Sequence, residues 1–391
     1  MLKLTDASRL LLLLGVVNGT RSANFSFTFT ARKLSAASPR RVCDPHNANK
    51  NATTSLLVAL ALVATAMADG SSGRPRLKAI FSDLDGTIVH FPAWFEEHGS
   101  RIVSKDEATK HAICESADGQ RRDCRLLPSS TMGDGLVSER TVTLVQELRE
   151  EGVIFVIVTA ARKSTLFERQ PLLPASDAAC CETGSRVYLQ DGSLDVEWAR
   201  GFEDISGPLE RELDVAQRPE PLWAFFRLLQ STVPGLKCDS RSYYGCFRVD
   251  TKGDATVEAA LREAIAAHLP TGVDWAMNLG KFDFYPSVSG KGNVVAYLQS
   301  KFGVLPEECA CLFDDDNDLP MAEKCGSQYL PGLTSDSVRR AAMEHPSWIV
   351  AKREGQGVFA IEELLEDLLA RVKQDKEVMQ LEPNEPRVKA A

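Results

Sequence analysis

An α/β fold is predicted by three observations. Residues 77–82 and 310–313 are short apolar runs that each stop at a cluster of acids. An apolar stretch running into acid or glycine reads as a buried strand that ends in a loop. Residues 153–158 are a continuous, β-branched apolar run, the pattern of a strand covered on both faces of a parallel sheet. A helical pattern lies between the first run and 153–158, so the order is strand, helix, strand. The expected architecture is a Rossmann-like, doubly wound parallel sheet core. Residues 186–285 change character and are expected to form an α+β module inserted into it.

The elements follow in order. Residues 90–137 read as an irregular insertion with one small hairpin, 112–115 and 123–127, around Ala117-Asp118-Gly119. Ser138 is expected to cap a helix whose inner side is Val142, Leu144, Val145 and Leu148, with Gly152 ending it. Within the module, 220–230 reads as a helix with Pro221 in its first turn. Residues 241–249 read as a strand. Asp254 is expected to cap a helix with Val257, Ala260, Leu261, Ala264, Ile265 and Leu269 at a 3.6-residue period. His268 falls on that side and is expected to be packed. Strands at 273–279 and 282–285 flank Gly280-Lys281. A helix from Gly290, a strand at 347–352 and a helix at 359–372 complete the core. The core is thus 77–185 plus 286–372, the module 186–285, and 373–391 a charged, frayed tail. Trp198, Trp223 and Trp275 are expected in the packed interior.

Composition bounds the function. The chain has 391 residues, 44% hydrophobic and 25% charged, enough for two or three domains. With 26 Gly, 19 Pro and 10 Cys, it is neither collagen-like nor a disulfide scaffold. A net charge of -9 argues against coating nucleic acid, which calls for a basic surface. No CxxC occurs, and Cys309-Ala310-Cys311 lies on or beside a buried strand. Cys114 and Cys124 flank the hairpin and could pair in an oxidising compartment; a reduced setting is the simpler default.

The charge is unevenly spread. Residues 1–68 hold eight Lys/Arg and two acids, net +6, whereas 69–391 hold 37 and 52, net -15. Residues 10–17 form a short apolar run behind Lys3 and Arg9, like a signal-peptide core. Residues 24–54 resemble a transit peptide, and a second apolar run, 56–64, precedes Ala66-Met67-Ala68, an A-x-A cleavage pattern. Neither run approaches the ~20 residues that span a bilayer, so no permanent membrane anchor is expected. Two readings stand: a cleaved leader, with a plastid or other organelle as destination, or a chain that starts at Met67 and stays in the cytoplasm. Both make it soluble and intracellular. The sequons at Asn18, Asn24 and Asn51 fall inside this segment.

The chemistry sits at the strand ends. In open α/β sheets ligands bind beyond the carboxyl ends of the strands. There the sequence offers Asp83 and Asp85, Thr159, and Asp314 and Asp318, with Lys291 opening a helix between the last two sets. Carboxylates crowded into one pocket raise one another's pKa unless cations compensate. Mg²⁺ and a lysine would do so, since Mg²⁺ favours a few carboxylates plus waters and a phosphate. The set suggests phosphoryl chemistry with an aspartate nucleophile. Taken alone, Asp83-Leu84-Asp85-Gly86-Thr87 could be a surface turn or part of a calcium loop, but it lacks an EF-hand's third acid and distal Glu.

Asp83-Leu84-Asp85-Gly86-Thr87, Val158-Thr159, Gly290-Lys291-Gly292 and Asp314-Asp315-Asp316-Asn317-Asp318 resemble, in order, the four motifs of the haloacid dehalogenase (HAD) superfamily. The resemblance covers roughly 77–370. A large cap between the second and third motifs is similar to the Cof-type and sucrose-phosphate phosphatase branch, as is the stretch from Phe282-Asp283-Phe284-Tyr285-Pro286 to Leu298. The resemblance implies that Asp83 attacks phosphorus, and that Asp85 protonates the leaving oxygen and then activates water. Thr159 would hydrogen-bond the phosphoryl oxygens and Lys291 neutralise charge. Asp314 would be the principal Mg²⁺ ligand, with Asp318 and Asn317 completing the shell, Asp83 contributing its carboxylate and Asp85 its backbone carbonyl.

Two positions depart from the pattern. Phe313 stands where Gly usually precedes the acid, and Thr159-Ala160-Ala161-Arg162 stands for Thr-Gly-Arg, which leaves the role of Arg162 open. In the cap, Arg241, Tyr243, Tyr244, Arg248 and Lys281 are candidates for substrate contact, with packing or solvation as the plainer reading of each. The function implied is a Mg²⁺-dependent phosphatase acting on a small phosphorylated metabolite, a sugar phosphate. A phosphotransferase or phosphomutase, and a non-catalytic phosphate-binding protein, are the alternatives.

Overall fold

The computed structural model describes residues 75–128, 132–208, 213–278 and 280–381. The leader with its sequons and cleavage pattern lies outside the described residues, as do 382–391 of the tail. Along the chain come strand β1 (Ala79–Ser82), β2 (Arg101–Asp106), β3 (His111–Glu115), β4 (Arg121–Leu126), β5 (Leu136–Ser138), helix α1 (Glu139–Glu150), β6 (Ile154–Val158), α2 (Lys163–Arg169), β7 (Ala178–Cys181) and β8 (Arg186–Leu189). Then follow α3 (Pro221–Thr232), β9 (Lys237–Asp239), β10 (Phe247–Asp250), α4 (Ala255–His268), β11 (Val273–Asn278) and β12 (Lys281–Pro286). The chain closes with α5 (Lys291–Phe302), β13 (Cys309–Leu312), β14 (Ser327–Leu330), β15 (Ile349–Val350) and α6 (Val358–Leu381).

Among the described residues the central sheet has seven strands in the order β15-β14-β13-β1-β6-β7-β8. All neighbours are parallel except β8, which returns antiparallel to β7. The two-residue period of a strand sends alternate side chains to opposite faces. Ile80, Phe155 and Ile157 join α1 and α6 through Leu144, Leu148, Leu364 and Leu368. Phe81, Val156 and Val158 join α5 through Val294, Val295 and Leu298 on the other face. Both faces are therefore covered, and a one-residue slip of β1 or β6 would exchange two fully apolar faces at no gain. Each buried Phe or Ile contributes roughly 1.5–3 kcal/mol. β1 lies between β13 and β6, so three strand ends meet side by side at the point where the chain reverses its winding.

Helix ends obey the expected chemistry. The Ser138 hydroxyl accepts from Thr141 N at 2.9 Å and donates to the buried Glu362 of α6 at 2.6 Å, tying α1 to α6. Asp254 accepts from Thr256 N and Val257 N at the start of α4.

The inserted module is an antiparallel sheet, β11-β12-β10-β9, packed on α3 and α4. Phe247 and Phe284 stack in its core with ring centroids 4.9 Å apart. Trp223 is fully buried there, while Trp275 in the module and Trp198 on the core are partly buried.

Several expectations change. The segment 90–137 is not irregular: the hairpin is there as β3 and β4, but β2 and β5 flank it to make a four-stranded antiparallel sheet. Residues 186–189, expected to open the module, pair as β8 within the central sheet, so the core extends past 185. Residues 241–246 are a turn rather than a strand, and β10 starts at Phe247. His268 is exposed, because the last turn of α4 runs beyond the module's core. The tail expected from 373 continues α6 to Leu381. Lys373 pairs with Glu147 and Lys376 with Glu151, so charge holds this stretch against α1. Cys114 and Cys124 are free and buried.

Candidate active site at the ends of β1, β6 and β13

Asp83 follows β1 directly and Asp314 lies just beyond β13. Gly86, with φ +103°, turns the chain between Asp85 and Thr87. The Thr87 hydroxyl donates to Asp314 Oδ1 at 2.6 Å, and the Thr334 hydroxyl donates to the Asp314 backbone oxygen at 2.6 Å. Phe313 is buried with its ring edge-on to Trp348 at 5.3 Å. Its bulk is thus absorbed by the hydrophobic layer, and Asp314 still meets the loop after β1.

Lys291 is the first residue of α5. Gly290 before it has φ +91°, and a Cβ on Gly292 would lie 2.6 Å from the Pro320 backbone oxygen. The two glycines allow α5 to start hard against the 314–320 loop and deliver the lysine. Its Nζ bonds Asp83 Oδ1 at 2.5 Å and Asp318 Oδ1 at 2.6 Å, with the side chain 1% exposed.

Asp83, Asp314 and Asp318 are buried and each offers an oxygen within 4.8 Å of the others. Burial raises the Asp83 carboxyl against the pull of Lys291. Burial, then the charges of Asp83 and Asp318, push Asp314 well above the usual carboxylate range. Burial and Asp83 bring Asp318 up to about 8. Burial works against the Lys291 ammonium, but Asp318 and Asp83 raise its pKa on balance. Three carboxylates thus face one ammonium, and Asp314 Oδ2 is buried with no hydrogen-bond partner. A buried acceptor left unpaired costs about 1–3 kcal/mol. An oxygen-loving divalent cation fits both the charge deficit and the orphan oxygen.

A cavity of about 110 Å³ opens over Asp83, lined also by Asp85, Thr159, Arg162, Arg169, Tyr243, Arg248, Asn278, Lys291, Asp315 and Asn317. Thr159 follows β6 directly, 2% exposed, its hydroxyl accepting from Ala161 N at 3.0 Å. Asn317 is buried beside Asp318. The Asp85 carboxylate stands outside the three-acid cluster and is held by Arg169 at 2.7 Å.

Arg162 lines the cavity, but its guanidinium reaches across to the module. It bonds Asp239 at 2.9 Å and the Arg241 backbone oxygen at 3.1 Å, and lies 4.9 Å from the Tyr243 ring centroid. Of the five module residues singled out for substrate, Tyr243, which is buried, and Arg248 line the cavity, and Tyr244 does not. Arg241 does not: its side chain is 80% exposed and turns to Asp239. Lys281 does not either, since it sits at the start of β12 opposite Asn278, outside the lining. Both placements follow from the turn at 241–246 and the register of β12. Arg248 is held in a two-pronged ion pair by the buried Asp283, at 2.6 Å on each prong, and Asn278 donates to the same carboxylate at 2.9 Å. Arg169, Asn278 and Thr334 carry no local sequence signal, whereas Thr87 belongs to the first motif.

No family model matches the sequence, and no curated protein does. Solved structures are similar to the chain. The sucrose-phosphatase of Synechocystis sp., solved with sucrose and phosphate, has 16% identity over 74% of this chain and 98% of its own, with a TM-score of 0.49. A protein of Streptococcus mutans has 14% identity over 75% and 99%, TM-score 0.49. A haloalkanoate (HAD) superfamily phosphatase from Bacteroides thetaiotaomicron has 17% over 78% and 98%, TM-score 0.44. Likeness at this level concerns the backbone alone, and the chemistry has to come from the residues themselves. No helix among the described residues is long and apolar enough to cross a membrane.

Proposed function

We propose that this chain is a Mg²⁺-dependent phosphatase that hydrolyses a small phosphorylated metabolite, a sugar phosphate, through an aspartyl phosphate on Asp83. The observation that carries this reading is the placement of Asp83. It lies at a strand end, bonded to Lys291, within 4.8 Å of Asp314 and Asp318, and at the floor of a cavity. Mg²⁺ held by Asp83, Asp314 and Asp318, with the Asp85 backbone carbonyl and Asn317 in support, would withdraw charge from the phosphoryl oxygens.

The chain's own residues account for the remaining steps. Lys291 neutralises charge beside Asp83, and the Thr159 hydroxyl donates to a phosphoryl oxygen. Asp83 attacks phosphorus as the leaving oxygen takes a proton from Asp85. Asp85, now ionised, then takes a proton from the water that attacks the aspartyl phosphate, which frees Asp83 and inorganic phosphate. Preorganised charge of this kind is the largest source of acceleration for such slow reactions. Tyr243, Arg248 and Asn278 line the cavity where the leaving group would lie, and the module that carries them would limit bulk water there.

The test is phosphate release by the purified protein, with Mg²⁺, across a panel of sugar phosphates and other phosphorylated metabolites. The expected result is release from a subset of sugar phosphates, lost in Asp83→Asn with folding intact. No release from any member would refute the reading.

A further inference from the structure

Asp85 has two tasks in the reading above, and its environment bears on both. Its Oδ1 accepts from Arg169 Nη1 at 2.7 Å. Arg169 is the last residue of α2, the helix that follows the Thr159 loop, and is 2% exposed. Its guanidinium also lies 5.8 Å from the ring centroid of the fully buried Phe91. The arginine is therefore buried beside an aromatic ring and, among the described residues, hydrogen-bonds one oxygen of one carboxylate. Among the hydrogen bonds of the described residues, none reaches Asp85 Oδ2, and the Asp85 side chain keeps 15% exposure on the cavity it lines.

We infer that Arg169 is a positioning residue that ties Asp85 by Oδ1 and so commits Oδ2 to the proton transfers at the leaving group and the attacking water. The inference rests on the phosphatase reading. It goes beyond that reading by naming what aims the acid. An unrestrained carboxylate rotates freely about its terminal torsion, and a side chain out of place by about 1 Å can cost on the order of 10²-fold in rate. A guanidinium fixed by burial removes that freedom in a way an exposed lysine would not.

The experiment measures kcat/KM with Mg²⁺ for two substrates. One is an alkyl monophosphate, the best sugar phosphate of the panel, whose leaving oxygen needs the proton. The other is p-nitrophenyl phosphate, whose leaving group departs without it. kcat/KM reports the steps up to phosphorylation of Asp83, so water attack does not mask the comparison. General-acid help is worth typically ~10²–10⁴-fold. Arg169→Met should therefore lower the alkyl ester's kcat/KM about tenfold or more beyond its effect on the aryl ester. Arg169→Lys should restore part of that loss. Asp85→Asn should show the same selectivity, and Asp85→Asn/Arg169→Met should be no worse than Asp85→Asn alone.

Equal losses on both substrates would overturn the inference, as would a double variant in which the two losses multiply. If Arg169→Met is too unstable to assay, Arg169→Lys carries the same comparison, and unchanged selectivity in it also overturns the inference. Failure of the phosphatase reading is distinguishable, because the unaltered protein would then release phosphate from neither substrate.

Discussion

A Cβ added to Gly86 would lie 2.6 Å from Cγ of Asp314. The loop after β1 and the acid after β13 are therefore in contact through a position that has no side chain, at φ +103°. Gly86→Ala meets two obstacles at once: a left-handed backbone, strained by about 1–3 kcal/mol for a side chain, and an immovable carboxylate anchored by Thr87 and the Thr334 bond to its backbone. The variant should fold with a lower denaturation midpoint and bind Mg²⁺ about 10–100-fold more weakly, the usual effect of disturbing a ligand's support. Isothermal titration with Mg²⁺ reads this directly, and unchanged affinity would contradict the packing described.

Asp314 itself should show opposite effects on stability and on metal binding. Wholly buried, with Oδ2 unpaired and its pKa pushed well up by burial, it is a destabilising group until a cation reaches it. In EDTA, Asp314→Asn should raise stability, because it removes a carboxylate whose charge is disfavoured by burial and by Asp83 and Asp318. Added Mg²⁺ should stabilise the unaltered protein, by about 2.7 kcal/mol at a hundred times its dissociation constant, and leave Asp314→Asn unmoved. Thermal midpoints of both proteins, in EDTA and in Mg²⁺, test the two signs together.

Lys291 should behave in the reverse sense. It compensates two buried carboxylates, at 2.5 and 2.6 Å. Removing one partner of a buried ion pair costs about 3–5 kcal/mol, so Lys291→Met should lower the urea midpoint by that order and abolish phosphate release. Mg²⁺ should recover part of the stability but not the activity.

His90 gives the fold an acid-sensitive point behind the loop that carries Asp83 and Thr87. The imidazole is 4% exposed, and burial lowers its pKa from 6.5 to about 3 despite a bond to the Thr87 backbone. Between those values the unfolded chain takes up a proton that the folded chain refuses, so stability falls as pH drops from about 6.5 towards 3. Above 6.5 the group contributes no slope. His90→Phe should flatten that part of the stability–pH curve, as measured by urea unfolding at half-unit intervals. A parallel curve would show that His90 is not the group.

The bond from Arg162 to Asp239, joined by the Arg241 backbone oxygen and the Tyr243 ring, links core to module. Glu182 adds two bonds, to Tyr244 N and Gly245 N at 2.9 and 2.7 Å. Arg162→Met should speed amide exchange across 240–246 and raise KM more than it lowers kcat, because the turn that carries Tyr243 loses one of its holds. Stability should fall by about 1 kcal/mol, as for a partly exposed pair.

The backbone of the site was readable because its signals are local. Strands that end in acids, a Ser138 or Asp254 cap, and glycines around Lys291 each act within a few residues. What escaped was set by distant partners. β2 is a polar, largely exposed strand that shows no alternation and exists because β3 pairs with it. The end of α6 looks like a charged tail until Glu147 and Glu151 of α1 are placed beside it. Arg169 has no neighbour in sequence that hints at Asp85, and Asn278 meets Asp283 only through the turn between β11 and β12. Arg241 was attractive as a cation near a presumed strand, and the turn at 241–246 directs it to solvent.

The most direct measurement is acid-quenched peptide mapping after brief mixing with p-nitrophenyl phosphate and Mg²⁺. A phosphate adduct on the peptide that contains Asp83, absent in EDTA and in Asp83→Asn, is the predicted result. Steady phosphate release with no adduct on that peptide, and with Asp83→Asn still active, would contradict it.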